Sequence, residues 1–139
     1  MIQILVRGSS MRPCLRPGSL AAVDEVVAPD AIDHAAPPGF PAGREGWKQY
    51  IPAFRKAFPD LHYTVEQEIA EGDRVVLHTV GRGTMKGDFM GMPASGKTAT
   101  WTEIHIFRLK DGKVVEHWDT MDQMGMLQQL GFIPAMAQA

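Results

Sequence analysis

From Leu61 to Thr120 the chain is written largely in alternation, and that period restricts the fold more than any other feature. Successive side chains of a strand point to opposite faces, so a run alternating apolar with polar residues has one face for a core and one for water. Residues 61–70 and 74–84 read as two such strands joined at Glu71-Gly72-Asp73. Residues 98–109 and 113–120 read as two more, joined at Lys110-Asp111-Gly112. Upstream the period is helical. Trp47, Tyr50, Ile51, Phe54, Ala57 and Phe58 form an i, i+3, i+4, i+7 stripe, with Pro52 inside it as an expected kink and Pro59-Asp60 as its end. A helix capped by Ser19 is expected through Val27, and a last short one over 122–130, stopped by Gly131. Asp33 to Gly43 reads as a loop. Helices first and consecutive antiparallel strands afterwards predict an α+β domain with helices packed on one face of a curved sheet.

Charge and length limit what such a domain does. The 139 residues allow one domain, and a net charge of -2 provides no basic field for a phosphate backbone, which argues against nucleic acid as a partner. No apolar run approaches the roughly 18 residues that span a bilayer, so no membrane segment is expected. Met1 to Val6 is too short for a signal-peptide core. Cys14 is the single cysteine, so no internal disulfide forms and a reducing, cytoplasmic setting is expected. Between two prolines and without a nearby histidine, it is a weak nucleophile candidate. Residues 1–18 form an atypical leader broken by Gly8, Pro13, Pro17 and Gly18, ahead of a domain over 19–133 and a tail over 134–139.

Gly91-Met-Pro-Ala-Ser-Gly-Lys-Thr98 matches the phosphate-binding pattern G-x-x-x-x-G-K-[ST] letter by letter. That motif works by aiming a helix N-terminus and backbone N–H groups at phosphates. Here the next residues, Ala99 to Phe107, alternate and are β-branched or aromatic. They predict a strand, and the nucleotide reading is set aside.

The hairpin at Asp111-Gly112 decides which polar groups meet. A three-residue loop with Gly112 in a left-handed bulge pairs Leu109 with Lys113, His105 with His117, and Glu103 with Asp119. Trp101, Glu103, His105, His117, Asp119 and Met121 then share one face. A two-residue turn shifts the register by one and sets Asp119 opposite Ile104 and Ile106 instead. In the first register, a covered face becomes a pocket with apolar walls and a few titratable groups, where a desolvated Asp119 is suited to take and return a proton. An exposed salt-bridge face is the alternative. His105, His117 and Asp119 also have the composition of a two-histidine, one-carboxylate metal site, but without helical H-x-x-x-H spacing or cysteines no metal is expected.

Ala57-Phe-Pro-Asp-Leu61, Glu71-Gly-Asp-Arg-Val-Val76, Gly87 to Lys97, Phe107 to Asp119 and Gly125 to Gly131 occur in an order that resembles the SnoaL-like polyketide cyclase or ester cyclase family, as do Asp33-His34, Pro38-Gly39 and Gly43 to Gly46. The resemblance implies an NTF2-like cone, a curved antiparallel sheet wrapped by helices around a pocket. It implies intramolecular aldol condensation, or a related proton abstraction alpha to a carbonyl, on a small hydrophobic carbonyl substrate without a cofactor. Asp119 is then the acid/base and His105 the histidine beside it. His34 takes a polar position at the pocket mouth, while His117, Glu103, Trp101, Phe54 and Met121 are further substrate-binding candidates. A homodimer is expected because an exposed curved sheet needs covering. A non-catalytic ligand-binding module, or an isomerase or epoxide hydrolase on the same scaffold, are the alternatives.

Overall fold

The computed structural model describes residues 20–134, so the leader, Cys14 and the Ser19 cap lie outside the described residues, as does the tail after Pro134. The elements run α1 (Leu20–Val26), β1 (Val27–Asp33), α2 (Arg44–Ala57), β2 (His62–Glu71), β3 (Arg74–Thr84), β4 (Thr98–Lys110), β5 (Lys113–Met121) and α3 (Gln123–Leu130). They make an α+β cone around one sheet in the order β1-β5-β4-β3-β2. No helix among the described residues is long and apolar enough to cross a membrane.

Two expectations need correction. The sheet is mixed rather than wholly antiparallel, because β1 runs parallel to β5. The sequence reading also missed β1, which takes residues from the end of the expected helix and the start of the expected loop. Pro29 hides it. A proline cannot donate to a ladder and argues against an interior strand, but β1 is an edge strand and Pro29 is exposed there.

The sequence 91–98 is followed by β4, so no helix stands behind that glycine-rich loop. The loop is instead tied between strands, Gly96 N–H donating to the Met85 carbonyl and Met85 N–H to that of Lys97. The final helix is bounded as its sequence implies. The Asp122 carboxylate accepts from Gly125 N–H at its start, and Gly131, in the left-handed region, ends it.

Alternation sorts the sheet cleanly. Along β4, Ala99, Trp101, Glu103, His105 and Phe107 are buried while the residues between them face outward. Two apolar clusters fill the inner side. One gathers Val23, Val27, Trp47, Leu77, Phe107 and Val114, and the other Phe54, Phe58, Met85, Phe89, Trp101 and Leu130. Helix α2 serves both, through Trp47 near its start and Phe54 near its end. Its stripe runs through Pro52 without ending the helix.

Gly81 pairs with Trp101 across β3 and β4. A Cβ built there would lie 2.6–2.8 Å from three atoms of the Trp101 indole. The indole therefore occupies the space a side chain would need, and it is buried. Gly81→Ala should lower stability by about 1–3 kcal/mol through overpacking, read as a lower urea midpoint together with a changed tryptophan emission. Phe107→Ala, which empties the floor of the first cluster, should cost about 3–5 kcal/mol in the same measurement.

Candidate active site

The β4–β5 hairpin differs from its expected form, yet it brings the expected residues to one face. Lys110 pairs with Lys113, so the turn has two residues, and Asp111 and Gly112 both have positive φ, 52° and 77°. Such a turn alone would carry Asp119 opposite Ile104. The ladder instead slips between Leu109↔Val114 and Arg108↔Glu116, leaving Val115 as an extra residue in β5. This bulge restores the parity that the turn removes. The pairs become Phe107↔His117, His105↔Asp119 and Glu103↔Met121, two residues away from the expected register. His105 therefore stands directly opposite Asp119 rather than His117.

A continuous chain of polar contacts crosses the inner face. Trp47 Nε1 donates to Asp33 Oδ2 at 2.5 Å, and Asp33 Oδ1 lies 2.8 Å from His117 Nδ1. His117 Nε2 is 3.1 Å from His105 Nδ1. His105 Nε2 is 2.8 Å from Glu103 Oε2, an ion-pair distance set off the line of a good hydrogen bond. The other Glu103 oxygen accepts from Trp101 Nε1 at 2.6 Å and from the Tyr63 hydroxyl at 2.8 Å. An indole N–H thus holds a carboxylate at each end, with two stacked imidazoles between them (ring centroids 5.4 Å apart). Phe107 stacks against both rings.

Asp119 is the exception in this network. Its Oδ1 lies 3.7 Å from His105 Nδ1 and has no hydrogen-bond partner among the described residues. Its side chain is 15% exposed, whereas those of His105 and His117 are 0% and 1%. Burial, with the neighbouring Glu103 and Asp33 charges, pushes its carboxyl up to about 8. Asp33 and Glu103 respond in the opposite sense. Burial pushes both upward, but the donors outweigh it: His117, Trp47 and the Ala35 N–H for Asp33, and His105, Trp101 and Tyr63 for Glu103. Both are held below the usual carboxylate range. Burial lowers His105 despite the pull of Glu103, leaving a neutral ring. Three carboxyls within one cluster therefore have two different protonation habits, set by which of them has donors.

The expected residues divide by place. Trp101, Glu103, His105, His117 and Asp119 come together, with Met121 opposite Glu103 and half-buried. Phe54 packs edge-on to Trp101, 6.0 Å between ring centroids. His34 does not join them. It sits in the turn just after β1, on the outer face, where it stacks on Trp118 and meets Glu116 at 2.8 Å. Its neighbour Asp33 is the one that enters the cluster, and the sequence reading gave that residue no role. The alternating Ala31-Ile32-Asp33 was the available signal, masked by Pro29. Trp47 and Tyr63 were also missed as donors, since nothing local in sequence pairs them with acids 14 and 40 positions away. Tyr50 lies between Trp47 and Phe54 on the same stripe of α2, and burial with the Glu103, Asp119 and Asp33 charges raises its hydroxyl pKa. A separate cavity of about 600 Å³ lies outside this cluster, lined by Phe40, Ala53, Lys56, Asp88, Phe89 and Met90 among others.

Comparison with known proteins agrees with this architecture. The profile of SnoaL-like polyketide cyclases matches residues 9–130. The chain is 32% identical over 111 residues to nogalonic acid methyl ester cyclase of Streptomyces nogalater, covering 78% of this chain and 83% of that protein. It is 30% identical over 117 residues to an aklanonic acid methyl ester cyclase of Streptomyces peucetius, covering 84% and 71%. Among solved structures, TsrD from Streptomyces laurentii superposes with a TM-score of 0.76 at 31% identity, covering 84% of this chain and 85% of that one. A chain with this sheet, this inner face and these relatives belongs to the SnoaL-like polyketide cyclase family.

Proposed function

We propose that the protein is a polyketide cyclase that closes a ring by intramolecular aldol condensation, with Asp119 as the acid/base. The observation that carries this reading is the contrast within the cluster. Among the described residues Asp33 and Glu103 have their donors, while Asp119 Oδ1 has none and the Asp119 side chain retains 15% exposure. A carboxyl left in that state exchanges its proton with whatever is brought against it, and its raised proton affinity suits it to work near neutral pH.

Asp119 as carboxylate removes a proton from a carbon alpha to a carbonyl. The resulting enolate carbon attacks a second carbonyl of the same molecule, forming the new carbon–carbon bond. The proton on Asp119 then passes to the alkoxide, which regenerates the carboxylate. His105 lies beside Asp119, its Nδ1 3.7 Å from Oδ1, and is fully buried, so it forms a fixed polar wall on that side of the carboxyl. Phe54, Trp101 and Met121 offer apolar surface for a flat aromatic substrate. The relatives' substrates, aklanonic and nogalonic acid methyl esters, have the chemistry this scheme requires, an ester that acidifies the neighbouring carbon.

Purified protein should cyclise aklanonic acid methyl ester or nogalonic acid methyl ester, followed by chromatography of substrate and product. Asp119→Asn should lower kcat by about 10²–10⁴-fold while ligand affinity, from fluorescence quenching, stays within a few-fold of the wild type. Unchanged turnover in Asp119→Asn would overturn the assignment. Wild-type binding without turnover would favour the ligand-binding module.

The same substitution tests the electrostatics. A carboxyl whose pKa is raised on folding contributes its stability below the unfolded value and loses it as pH rises towards about 8. Asp119→Asn should therefore have a higher urea midpoint than wild type at pH 8, with the difference shrinking by pH 4.

A further inference from the structure

The buried network turns three atoms of metal-ligand type towards one another. Asp33 already accepts the indole N–H of Trp47 and the backbone N–H of Ala35. Glu103 accepts from Trp101 and Tyr63. Each carboxylate then faces one imidazole nitrogen at 2.8 Å, Nδ1 of His117 for Asp33 and Nε2 of His105 for Glu103. Two carboxylate neighbours favour the tautomer in which those two nitrogens carry the ring N–H groups. In that tautomer the remaining nitrogens, Nε2 of His117 and Nδ1 of His105, present lone pairs in place of the hydrogen bond between them. They face each other at 3.1 Å, with Asp119 Oδ1 3.7 Å from the second and without a hydrogen-bond partner among the described residues. All three atoms lie within 4.8 Å of one another.

We propose that His105 Nδ1, His117 Nε2 and Asp119 Oδ1 bind a divalent first-row transition-metal ion. A tetrahedral ion at about 2.0–2.2 Å from its ligands separates them by roughly 3.3–3.5 Å, and the observed 3.1 and 3.7 Å straddle that spacing. The surroundings are also those of a metal centre. Histidines that ligate metals donate their second N–H to a carboxylate or carbonyl, which fixes the tautomer and ring orientation. Here both histidines face a carboxylate in that position, and each carboxylate is itself held by an indole.

Charge points the same way. The ion-pair partners of Asp33, Glu103 and Asp119 among the described residues are histidines alone. A dication would offset this buried negative charge. Two imidazoles and one carboxylate favour Zn²⁺, Co²⁺ or Fe²⁺ over the hard ions Mg²⁺ and Ca²⁺. Further ligands would enter from the Asp119 side, where the cluster retains exposure.

Binding stands apart from the cyclase reading, but the two compete for one oxygen. A metal on Asp119 Oδ1 removes the carboxylate that would take a proton, so loading should inhibit metal-free turnover.

Tag-free, chelator-stripped protein titrated with Co²⁺ should take up one ion per chain with visible d–d bands, displaced by Zn²⁺. Asp119→Ala should weaken binding at least tenfold. Asp33→Asn touches no ion, yet it should weaken binding about 10–100-fold by releasing His117. Near-UV circular dichroism of both variants checks that they fold. Absence of a saturable Co²⁺ band in wild type, or equal affinity in wild type and folded Asp119→Ala, would overturn the proposal. Silent Co²⁺ titrations beside intact metal-free cyclisation sink the metal site alone, whereas Co²⁺ uptake by a protein inert towards the esters sinks the cyclase reading alone.

Discussion

Val115 is the residue on which the site turns. It is the extra residue in β5, unpaired with β4, and everything between it and Met121 takes its facing from that one insertion. A side chain's face in a strand depends only on parity, so one residue more or fewer exchanges the two faces. With the bulge, His117 and Asp119 look inward and Glu116 and Trp118 outward. Without it, a tryptophan and an ion-pairing glutamate would occupy the inner face and the two buried imidazoles would lose each other.

The inward residues create a second constraint, because ionisable groups in an apolar interior need donors or must lose their charge. The fold meets it by drawing donors from three elements: Trp47 from α2, Trp101 from β4 and Tyr63 from β2. Gly81 is part of this arrangement, since its missing side chain lets the Trp101 indole lie against β3. Edge strand β1 supplies Asp33 through its parallel register with β5, which sets Asp33 beside His117. Donors thus satisfy two acids, while Oδ1 of the third has none among the described residues, and that third acid is the one proposed to move a proton. Such a site trades stability for reactivity.

Helix α2 shows how much of the fold was legible in sequence. Its stripe, its end at Pro59 and its burial against the sheet followed from spacing alone, as did the four antiparallel strands and the cap at Gly131. Strand β1 was not legible, because Pro29 and a short run look like a loop until a neighbour is present to pair with. The site was legible in part. Glu103, His105, His117 and Asp119 were grouped by alternation, but the partner assigned to His105 was wrong by two residues. A bulge has no local signature in Lys113-Val114-Val115-Glu116.

By itself, then, the sequence determined the α+β class, the order of strands in the chain, the polar residues of the inner face and the resemblance to a cyclase family. These depend on periodicity and on ordered motifs, which are local properties of a chain. Tertiary structure alone decided that Asp33 rather than His34 enters the cluster, that tryptophan and tyrosine donors hold two of the acids, and that Asp119 Oδ1 has no donor among the described residues. Those outcomes depend on which strand lies beside which and in what register. Pairing across 84 positions, as between Asp33 and His117, is a property of the packed sheet, and no window of sequence contains it.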